Sequence, residues 1–298
     1  MYASLFTLGK AILSYIPPIL FVGMRMLIGG IILLSFSRWI KKISFVVQKA
    51  HYLWFCALIL CHVYLSYTLE YVSMQHLSSV KACLLYNLSP LVTVLLSYIV
   101  FKERMTLKKW IGLLIGFFGF IPLLVEQSEP TEIAWHYFIT RFISLPELLM
   151  LVSVIFACMG WICVKKLTAD FKYSYFFVNG VAMFFGGICA LLTSFCFETW
   201  PAVSVMTSST MWSYLAAIIL IGNVMAYNLH GKLLSIYSAT IISFVGSFTP
   251  LFAALFGWFF LHEAISLGFW ITLALVSFGL FIFYQEELRQ GYIKKETT

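Results

Sequence analysis

The stretch YTLEYVSMQHLSSVKACLLYNLSPLVTVLLSYIVFKERMTLKKWIGLLIGFFG, residues 67–119, occurs twice in this chain, the second time as a degenerate copy. A shift of 160 positions places it on residues 227–279. Both copies carry a proline, a glutamate 13 residues later, a tryptophan 7 residues further on and a glycine 9 residues beyond it. This ordered set of uncommon residues predicts two related halves. The identities that coincide without a gap are Tyr67/Tyr227, Ser78/Ser238, Pro90/Pro250, Glu103/Glu263, Trp110/Trp270, Phe118/Phe278 and Gly119/Gly279.

The composition indicates a membrane protein. Of the 298 residues, 62% are hydrophobic and 10% are charged, which is too little polar material to cover a water-facing surface. The net charge of +7 comes from short basic clusters between apolar runs, so it predicts membrane orientation and no nucleic-acid partner. His262 and Glu263 begin an H-E-x-x-H pattern, but position 266 is a serine. We therefore expect no metal and no other cofactor.

Apolar runs near the length that spans a bilayer, about 20 residues, recur along the chain. They lie at residues 1–16, 17–37, 51–71, 76–100, 108–125, 147–164, 173–195, 211–229, 234–261 and 267–285. The sequence thus predicts an all-α integral membrane protein with ten transmembrane helices. Because five is odd, two halves of five helices enter the membrane from opposite sides, which makes the repeats inverted.

The predicted organisation has four parts. They are a first five-helix repeat (1–125), an external loop (126–146), a second five-helix repeat (147–285) and a cytoplasmic tail (286–298). Of the 19 Lys and Arg residues, 15 fall in alternate connections that share one side. The positive-inside rule then predicts a multi-pass protein of the cell (inner) membrane with both termini in the cytoplasm.

The first predicted helix is short compared with its counterpart in the second half. An offset of 156 pairs Lys10 with Lys166 and Gly30 with Gly186, and it places Met1 opposite Ala157. The helix then lacks about two to three turns at ~1.5 Å per residue. We expect either an upstream start or a first helix that barely spans.

Two segments carry a family resemblance: IPPILFVGMRMLIGG in the second predicted helix, and the repeated stretch with its copy. Their motifs follow in a fixed order, Pro17/Pro18 with Arg25, Pro90 with Glu103, and Pro250 with Glu263. The order resembles the drug/metabolite transporter superfamily, specifically its EamA-type members with ten helices, over essentially the whole chain. The resemblance implies a secondary transporter whose central cavity is lined mainly by helices 1, 3, 4, 6, 8 and 9. It also implies substrates such as amino acids, nucleobase-like metabolites, S-adenosylmethionine or drugs.

Three charges inside the predicted helices are Arg25, Glu70 and Lys81. Each needs a partner or a purpose, because a charge in the bilayer costs at least ~2.5 kcal/mol. Glu70 either neutralises a neighbouring cation as a structural bridge or belongs to a substrate or proton site. Arg25 matches the family pattern in a helix that we expect to be peripheral, so we predict a structural role for it.

Polar and aromatic residues complete the predicted substrate site. Asn223, Tyr227 and His230 form a stripe at i, i+4 and i+7, and Tyr67 and Glu70 hold the matching places in the first half. Such groups either face a cavity or form hydrogen bonds between helices. Trp161 either forms an aromatic wall of the cavity or faces lipid. The predicted substrate-binding residues are Tyr67, Glu70, Lys81, Tyr86, Asn87, Trp161, Asn223 and Tyr227.

Glu103 and Glu263 do not form a carboxylate pair, because inverted repeats put them on opposite faces of the membrane. Each precedes a helix whose start is marked by Thr106 or Ser266, so we predict loop anchoring and capping. The predicted structural residues are Arg25, Pro90, Glu103, Pro250 and Glu263.

These features predict a non-enzymatic secondary transporter of a small polar metabolite that works by alternating access. The aromatic content of 18% and one acid near the cavity favour a flat-ringed zwitterion or cation. An S-adenosylmethionine-like metabolite or an amino acid fits that chemistry. We expect a small-molecule substrate and the lipid bilayer as partners, and a monomer or homodimer. The alternatives are a membrane-embedded lipid-modifying enzyme and a non-transporting membrane scaffold.

Overall fold

The computed structural model describes residues 2–43, 46–77, 82, 85–119, 145–202, 206–246, 248–249, 251–252 and 267–291. Every regular element in these ranges is a helix. Six of the described helices are long and apolar enough to cross a membrane: Pro18–Ile40, Lys49–Met74, Leu145–Asp170, Tyr175–Phe197, Ser209–Leu234 and Trp270–Arg289. The all-helical, multi-pass membrane class predicted from the sequence is therefore confirmed.

The helices are numbered in chain order. In the first half, they are α1 (Tyr2–Ile12), α2 (Pro18–Ser35, extended by a π-helical turn, Phe36–Ile40), α3 (Lys49–Met74), α4 (Ser89–Phe101) and α5 (Leu107–Phe118). In the second half, they are α6 (Leu145–Lys165, extended by a π-helical turn, Lys166–Asp170), α7 (Tyr175–Phe197), α8 (Ser209–Leu234), α9 (Ala239–Gly246) and α10 (Leu267–Arg289). Both α3 and α8 have a π-helical segment in their middle, Leu58–Ser66 and Ile219–Ala226.

The local sequence sets the ends of the helices. α2 begins directly after Pro17 with Pro18 in its first turn, where a missing amide N–H costs no hydrogen bond. α5 begins after Thr106, whose hydroxyl accepts a hydrogen bond from the Lys109 amide at 3.4 Å. Three connections that follow helices hold a lysine in the left-handed region, with φ of 52°, 56° and 60° for Lys42, Lys102 and Lys172. These left-handed residues end α2, α4 and α6 sharply.

Several predicted helix boundaries differ from those in the structure. The predicted run 76–100 contains a turn at Asn87, and α4 begins only at Ser89. Pro90 in the first turn of α4 explains the new start, because proline breaks a helix that continues from the preceding turn. α8 continues to Leu234 instead of ending at 229, and the helix described within the predicted run 234–261 begins only at Ala239.

α2 packs along α7 through glycines that let the two backbones approach closely. A Cβ atom added at Gly30 would lie 2.5 Å from the Phe184 amide nitrogen. A Cβ atom added at Gly187 would lie 2.5 Å from the Leu27 amide nitrogen. Adding 157 to the numbers of Leu27 and Gly30 gives Phe184 and Gly187, so each contact is the counterpart of the other.

A second pair of contacts on the same two helices follows the same rule. A Cβ atom at Gly23 would lie 2.7 Å from the Leu191 side chain, and one at Gly180 would lie 3.1 Å from the Leu34 side chain. Again an offset of 157 converts one contact into the other. The offset differs by one residue from the 156 expected for this part of the sequence.

α5 and α10 form another close helix pair. Gly112 approaches the Gly279 carbonyl oxygen, which a Cβ atom at Gly112 would meet at 2.6 Å, and Gly279 in turn lies against Gly116. Gly112 and Gly116, spaced as in a small-xxx-small motif, thus let α5 and α10 approach closely. Beside it, the Lys109 ammonium forms a fully buried ion pair with Glu287.

The remaining contacts gather helices of both halves around one centre. α6 packs against α3 and α4, α4 packs against α9, and α1 packs against α8. On the outside of α7, Phe185, Leu192 and Phe195 are exposed, as expected for side chains that face lipid. The helices therefore leave their polar residues to the interior of the bundle.

Candidate functional site: a charged and aromatic cavity

A cavity with an empty volume of about 960 Å³ lies where the helices of both halves meet. This volume includes space that is open to the outside of the protein. The family resemblance implies walls from helices 1, 3, 4, 6, 8 and 9, and each of these helices contributes. The polar and aromatic wall residues are Arg25, Tyr67, Glu70, Tyr71, Tyr86, Asn87, Ser89, Thr93, Trp161, His230, Ser243 and Thr249.

Two opposite charges share one part of this wall. Arg25 of α2 and Glu70 of α3 are only 1% and 5% exposed, and both line the cavity. They lie close enough to interact electrostatically. The Arg25 guanidinium donates a hydrogen bond to the Tyr71 hydroxyl at 2.8 Å and lies 4.8 Å from the centre of the Tyr67 ring. This corner of the cavity therefore holds a cation and an anion inside aromatic walls.

Aromatic rings form a second part of the site. Trp161 of α6 stacks on His230 of α8, with ring centres 3.9 Å apart and ring planes 22° apart. Tyr227 packs against both Trp161 and Tyr67, with ring centres 5.1 and 6.0 Å apart. His62, from the π-helical segment of α3, supports Trp161 from behind at 4.3 Å. The rings join α3, α6 and α8 into one continuous apolar surface.

Hydroxyl groups bridge α4 and α9 at the cavity wall. Thr93 donates a hydrogen bond to the Ser243 hydroxyl at 3.2 Å, and Ser243 donates to the Ser89 hydroxyl at 3.3 Å. Nearby, the buried side-chain amide nitrogen of Asn87 has no hydrogen-bond partner within the part of the chain that the structure describes. A buried donor of this kind is costly unless a ligand or water satisfies it. Asn87 thus offers the cavity a hydrogen-bond donor.

The structure brings together most of the predicted substrate-binding residues. Those that line the cavity are Tyr67, Glu70, Tyr86, Asn87 and Trp161. Tyr227 packs behind the wall against rings that line it. Lys81 lies outside the described residues.

Asn223 is not brought to the cavity wall. Its side-chain amide donates to the Met26 sulfur at 3.1 Å and approaches the Arg25 carbonyl oxygen at 3.5 Å. Gly29 makes room for it, because a Cβ atom there would lie 2.9 Å from the Asn223 side chain. Asn223 therefore lies at the contact of α2 with α8, where it forms the interhelical hydrogen bonds that were the alternative for the polar stripe.

Glu103, one of the predicted structural residues, contacts two helices of the other half. Its carboxylate accepts hydrogen bonds from the Lys165 ammonium at 2.6 Å and from the Thr240 hydroxyl at 3.2 Å. It thereby ties the connection between α4 and α5 to α6 and α9 of the other half. Pro90 lies in the first turn of α4. Pro250 and Glu263 lie outside the described residues.

Arg25 lines the cavity, although we expected helix two to be peripheral. α2 reaches the cavity between α3 and α8 because its glycines allow close approach to α7 and to Asn223. Lys10 is also accounted for, since its ammonium donates hydrogen bonds to the carbonyls of Met74, Gln75 and Leu77 at the end of α3. A cation is favourable at that end of a helix, where the macrodipole is negative.

Sequence reasoning missed the cavity positions of Arg25, Ser89 and Ser243. For Arg25, the available signal was a full charge in an otherwise apolar helix, which was outweighed by the family pattern. The two serines give no such signal, because a small residue in an apolar helix is typical of helix packing.

The geometry of the wall is suited to binding. In the described ranges, no group of three or more His, Cys, Asp or Glu residues could hold a metal ion. The wall offers one guanidinium, one carboxylate, several hydroxyls and a stacked pair of rings. Together these groups can bind a zwitterion that is attached to a flat ring.

Comparison with known proteins shows the family to which this chain belongs. The EamA-like transporter family matches residues 1–125 and 144–285, which is nearly the whole chain. The chain therefore belongs to the EamA-like transporter family, as its motifs suggested. A solved crystal structure shares the fold, with a TM-score of 0.74 over 97% of this chain and 94% of that chain at 17% identity.

Individual relatives are more specific. The chain is 31% identical to an S-adenosylmethionine/S-adenosylhomocysteine transporter of Chlamydia muridarum, over 98% of this chain and 91% of the relative. It is 30% identical to a protein of the same name from Chlamydia trachomatis serovar L2, over 98% and 88%. It is also 27% identical to the uncharacterized transporter YoaV of Bacillus subtilis, over 90% and 87%. This chain is a membrane transporter, like these relatives.

Proposed function

We propose that this transporter moves S-adenosylmethionine and S-adenosylhomocysteine across the cell (inner) membrane. One observation carries the proposal: the cavity joins a cation, an anion and a stacked aromatic pair. Both compounds contain an α-amino acid group and a flat adenine ring linked through sulfur. The names and the 30–31% identity of the chlamydial relatives support the same substrate class.

Each part of the substrate has a matching part of the wall. The adenine ring stacks on the surface formed by Trp161 and His230, since aromatic faces favour offset stacking with other flat rings. The Glu70 carboxylate attracts the positive groups, which are the ammonium in both compounds and the sulfonium in S-adenosylmethionine. Asn87 supplies a donor for a ring or ribose acceptor. Tyr67 and Tyr86 close the wall between these groups.

The transport mechanism that we propose is alternating access between two inverted five-helix repeats, residues 1–125 and 147–285. The glycine contacts of α2 with α7, which exchange under an offset of 157, support a twofold relation between the halves. The ring contact of Tyr67 with Tyr227, which are 160 residues apart, lies where a twofold axis would pass. The two separate stretches matched by the family also support two repeats.

Orientation follows from the basic residues. Residues 126–146 form an external connection that runs into the first turn of α6, and residues 286–298, which begin with the last turn of α10, lie on the cytoplasmic side beside the N-terminus. The left-handed lysines at positions 42, 102 and 172 all fall in connections on the cytoplasmic side of this topology. Glu103, with Lys165 and Thr240, then holds the two halves together near that side. In this arrangement Glu103 has a structural role, and Pro90 begins α4.

Transport without chemical change distinguishes this proposal from the alternatives. In proteoliposomes preloaded with unlabelled S-adenosylhomocysteine, we expect saturable uptake of labelled S-adenosylmethionine that excess of either compound inhibits. Chromatography of the contents should return the label unchanged. Altered lipid or altered substrate would favour a membrane-embedded enzyme. Uptake no greater than in protein-free vesicles would favour a non-transporting scaffold and overturn the proposal.

A further inference from the structure

Arg25 sits in a cage of aromatic rings at the cavity wall. Its guanidinium carbon lies 4.8 Å from the ring centre of Tyr67, 5.4 Å from that of Tyr71 and 5.5 Å from that of Phe21. One terminal nitrogen donates to the Tyr71 hydroxyl at 2.8 Å. The rings surround the guanidinium, and the side chain is only 1% exposed.

Among the residues that the structure describes, the Arg25 guanidinium does not find a hydrogen-bond partner for every donor. Its only hydrogen-bond partner among them is a neutral hydroxyl, and the buried Nε atom has no partner within the described ranges. Glu70 acts on it electrostatically from the same wall. A buried charge is costly unless it is paired and hydrogen-bonded, so this guanidinium can accept a further anionic partner from the cavity.

Several contacts that do not involve Arg25 hold α2 in place. Gly23 and Gly30 pack α2 directly against α7. Glu198, at the end of α7, accepts hydrogen bonds from the Ile19 and Leu20 amides at 2.9 and 2.8 Å, which anchors the first turn of α2. A purely structural role for the guanidinium is therefore unnecessary.

We propose that Arg25 binds the carboxylate of the transported amino-acid group, while Glu70 receives its ammonium. This inference rests on the proposed function, and it makes Arg25 a specificity-determining residue. A planar guanidinium can bind a carboxylate through two parallel hydrogen bonds, and a rigid cage holds it ready for that geometry. The two charges on one wall are complementary to the two charges of an α-amino acid. Adenine derivatives without an amino-acid group lack this anchor.

The test compares two ligands that differ in the amino-acid group. S-adenosylhomocysteine has it, and 5′-methylthioadenosine keeps the adenosine and the sulfur but lacks it. In wild-type protein we expect tighter binding of S-adenosylhomocysteine. Arg25→Met should weaken its binding on the order of 10- to 100-fold, the value of a lost charge-assisted pair, and leave methylthioadenosine binding within about twofold.

Two further variants keep the test decisive. Arg38→Met removes the same charge from an exposed position on the π-helical turn of α2 and should leave both affinities unchanged. Arg25→Lys keeps the charge but cannot form the two parallel hydrogen bonds, so it should lower the preference for S-adenosylhomocysteine only partially. If Arg25→Met does not fold, Arg25→Lys decides the test. Either an unchanged preference for S-adenosylhomocysteine in a folded Arg25 variant or equally weakened binding of both ligands would overturn the proposed role of Arg25. Neither result would overturn the proposed substrate. Binding of neither ligand by wild-type protein would overturn the proposed substrate and this inference with it.

Discussion

Tyr67 and Glu70 on α3 occupy the places that Tyr227 and His230 occupy on α8, 160 residues later. Both helices carry a π-helical segment immediately before the tyrosine. The two tyrosines contact each other, but the residues three positions on differ in chemistry. Glu70 brings an anion beside Arg25, whereas His230 stacks on Trp161.

The two halves share their helix packing but differ in the residues that line the cavity. The close glycine contacts of α2 with α7 occur in equivalent pairs and serve packing in both halves. The cavity residues do not repeat in this way, so one part of the wall is charged and the other part is aromatic. Equivalent positions therefore place side chains in one cavity, and in the binding mode that we propose the different residues at those positions serve the two ends of the substrate.

The largest effect is expected from the charged side of the comparison. Glu70→Gln should lower uptake of S-adenosylmethionine on the order of 100-fold, because a buried partner for a positive group is lost. Adding Lys81→Met should not restore uptake if Glu70 serves the substrate. Glu286→Gln, which changes a mostly buried acid of α10 outside the cavity, is the matched control and should retain uptake. Full uptake by a monodisperse Glu70→Gln protein would remove Glu70 from the site.

The stability of glycine variants tests the packing of α2 against α7 that the two halves share. Gly30→Val and Gly187→Val each drive a side chain into the backbone of the facing helix, and each should lower the unfolding free energy by about 1–3 kcal/mol. Equivalent contacts predict similar losses for the two variants. Gly246→Ala is the control, since a Cβ atom there meets nothing within 4 Å. Thermal unfolding in detergent measures all three, and a large loss for one glycine variant only would break the equivalence.

The link between the halves should show energetic coupling. Glu103→Gln and Lys165→Met each break a mostly buried ion pair, and the double variant should be more stable than the sum of the single losses predicts. We expect a coupling energy of about 1 kcal/mol from the double-mutant cycle. Strictly additive effects would mean that this pair does not stabilise the contact between the halves.

The smallest effect is expected on the aromatic side. Trp161→Leu removes the ring that stacks on His230, and it should weaken binding of both S-adenosylhomocysteine and methylthioadenosine by about 3- to 10-fold. The equal effect on both ligands contrasts with the selective effect expected for Arg25→Met. A loss confined to S-adenosylhomocysteine would assign Trp161 to the amino-acid end and contradict the division of the wall.

The sequence predicts those features that repeat or that the bilayer penalises. The repeated Tyr67 and Pro90 motifs indicate related halves, and Glu70 stands out because a charge in hydrocarbon is costly. The cavity position of Arg25 could not be predicted, because it depends on how closely the glycines of α2 approach other helices. Asn223 was misplaced for the same reason: a polar stripe marks a helix face but does not show whether that face meets a cavity or another helix.

We propose that two oppositely oriented halves build one cavity, and the sidedness of two equivalent positions tests this directly. Lys102, an exposed residue that follows α4, has its counterpart at His262 under the offset of 160. Single cysteines introduced by Lys102→Cys and His262→Cys in a cysteine-free protein should be labelled by an impermeant thiol reagent from opposite sides of the membrane. We expect cytoplasmic labelling at position 102 and external labelling at position 262. Labelling of both cysteines from the same side would contradict the proposal.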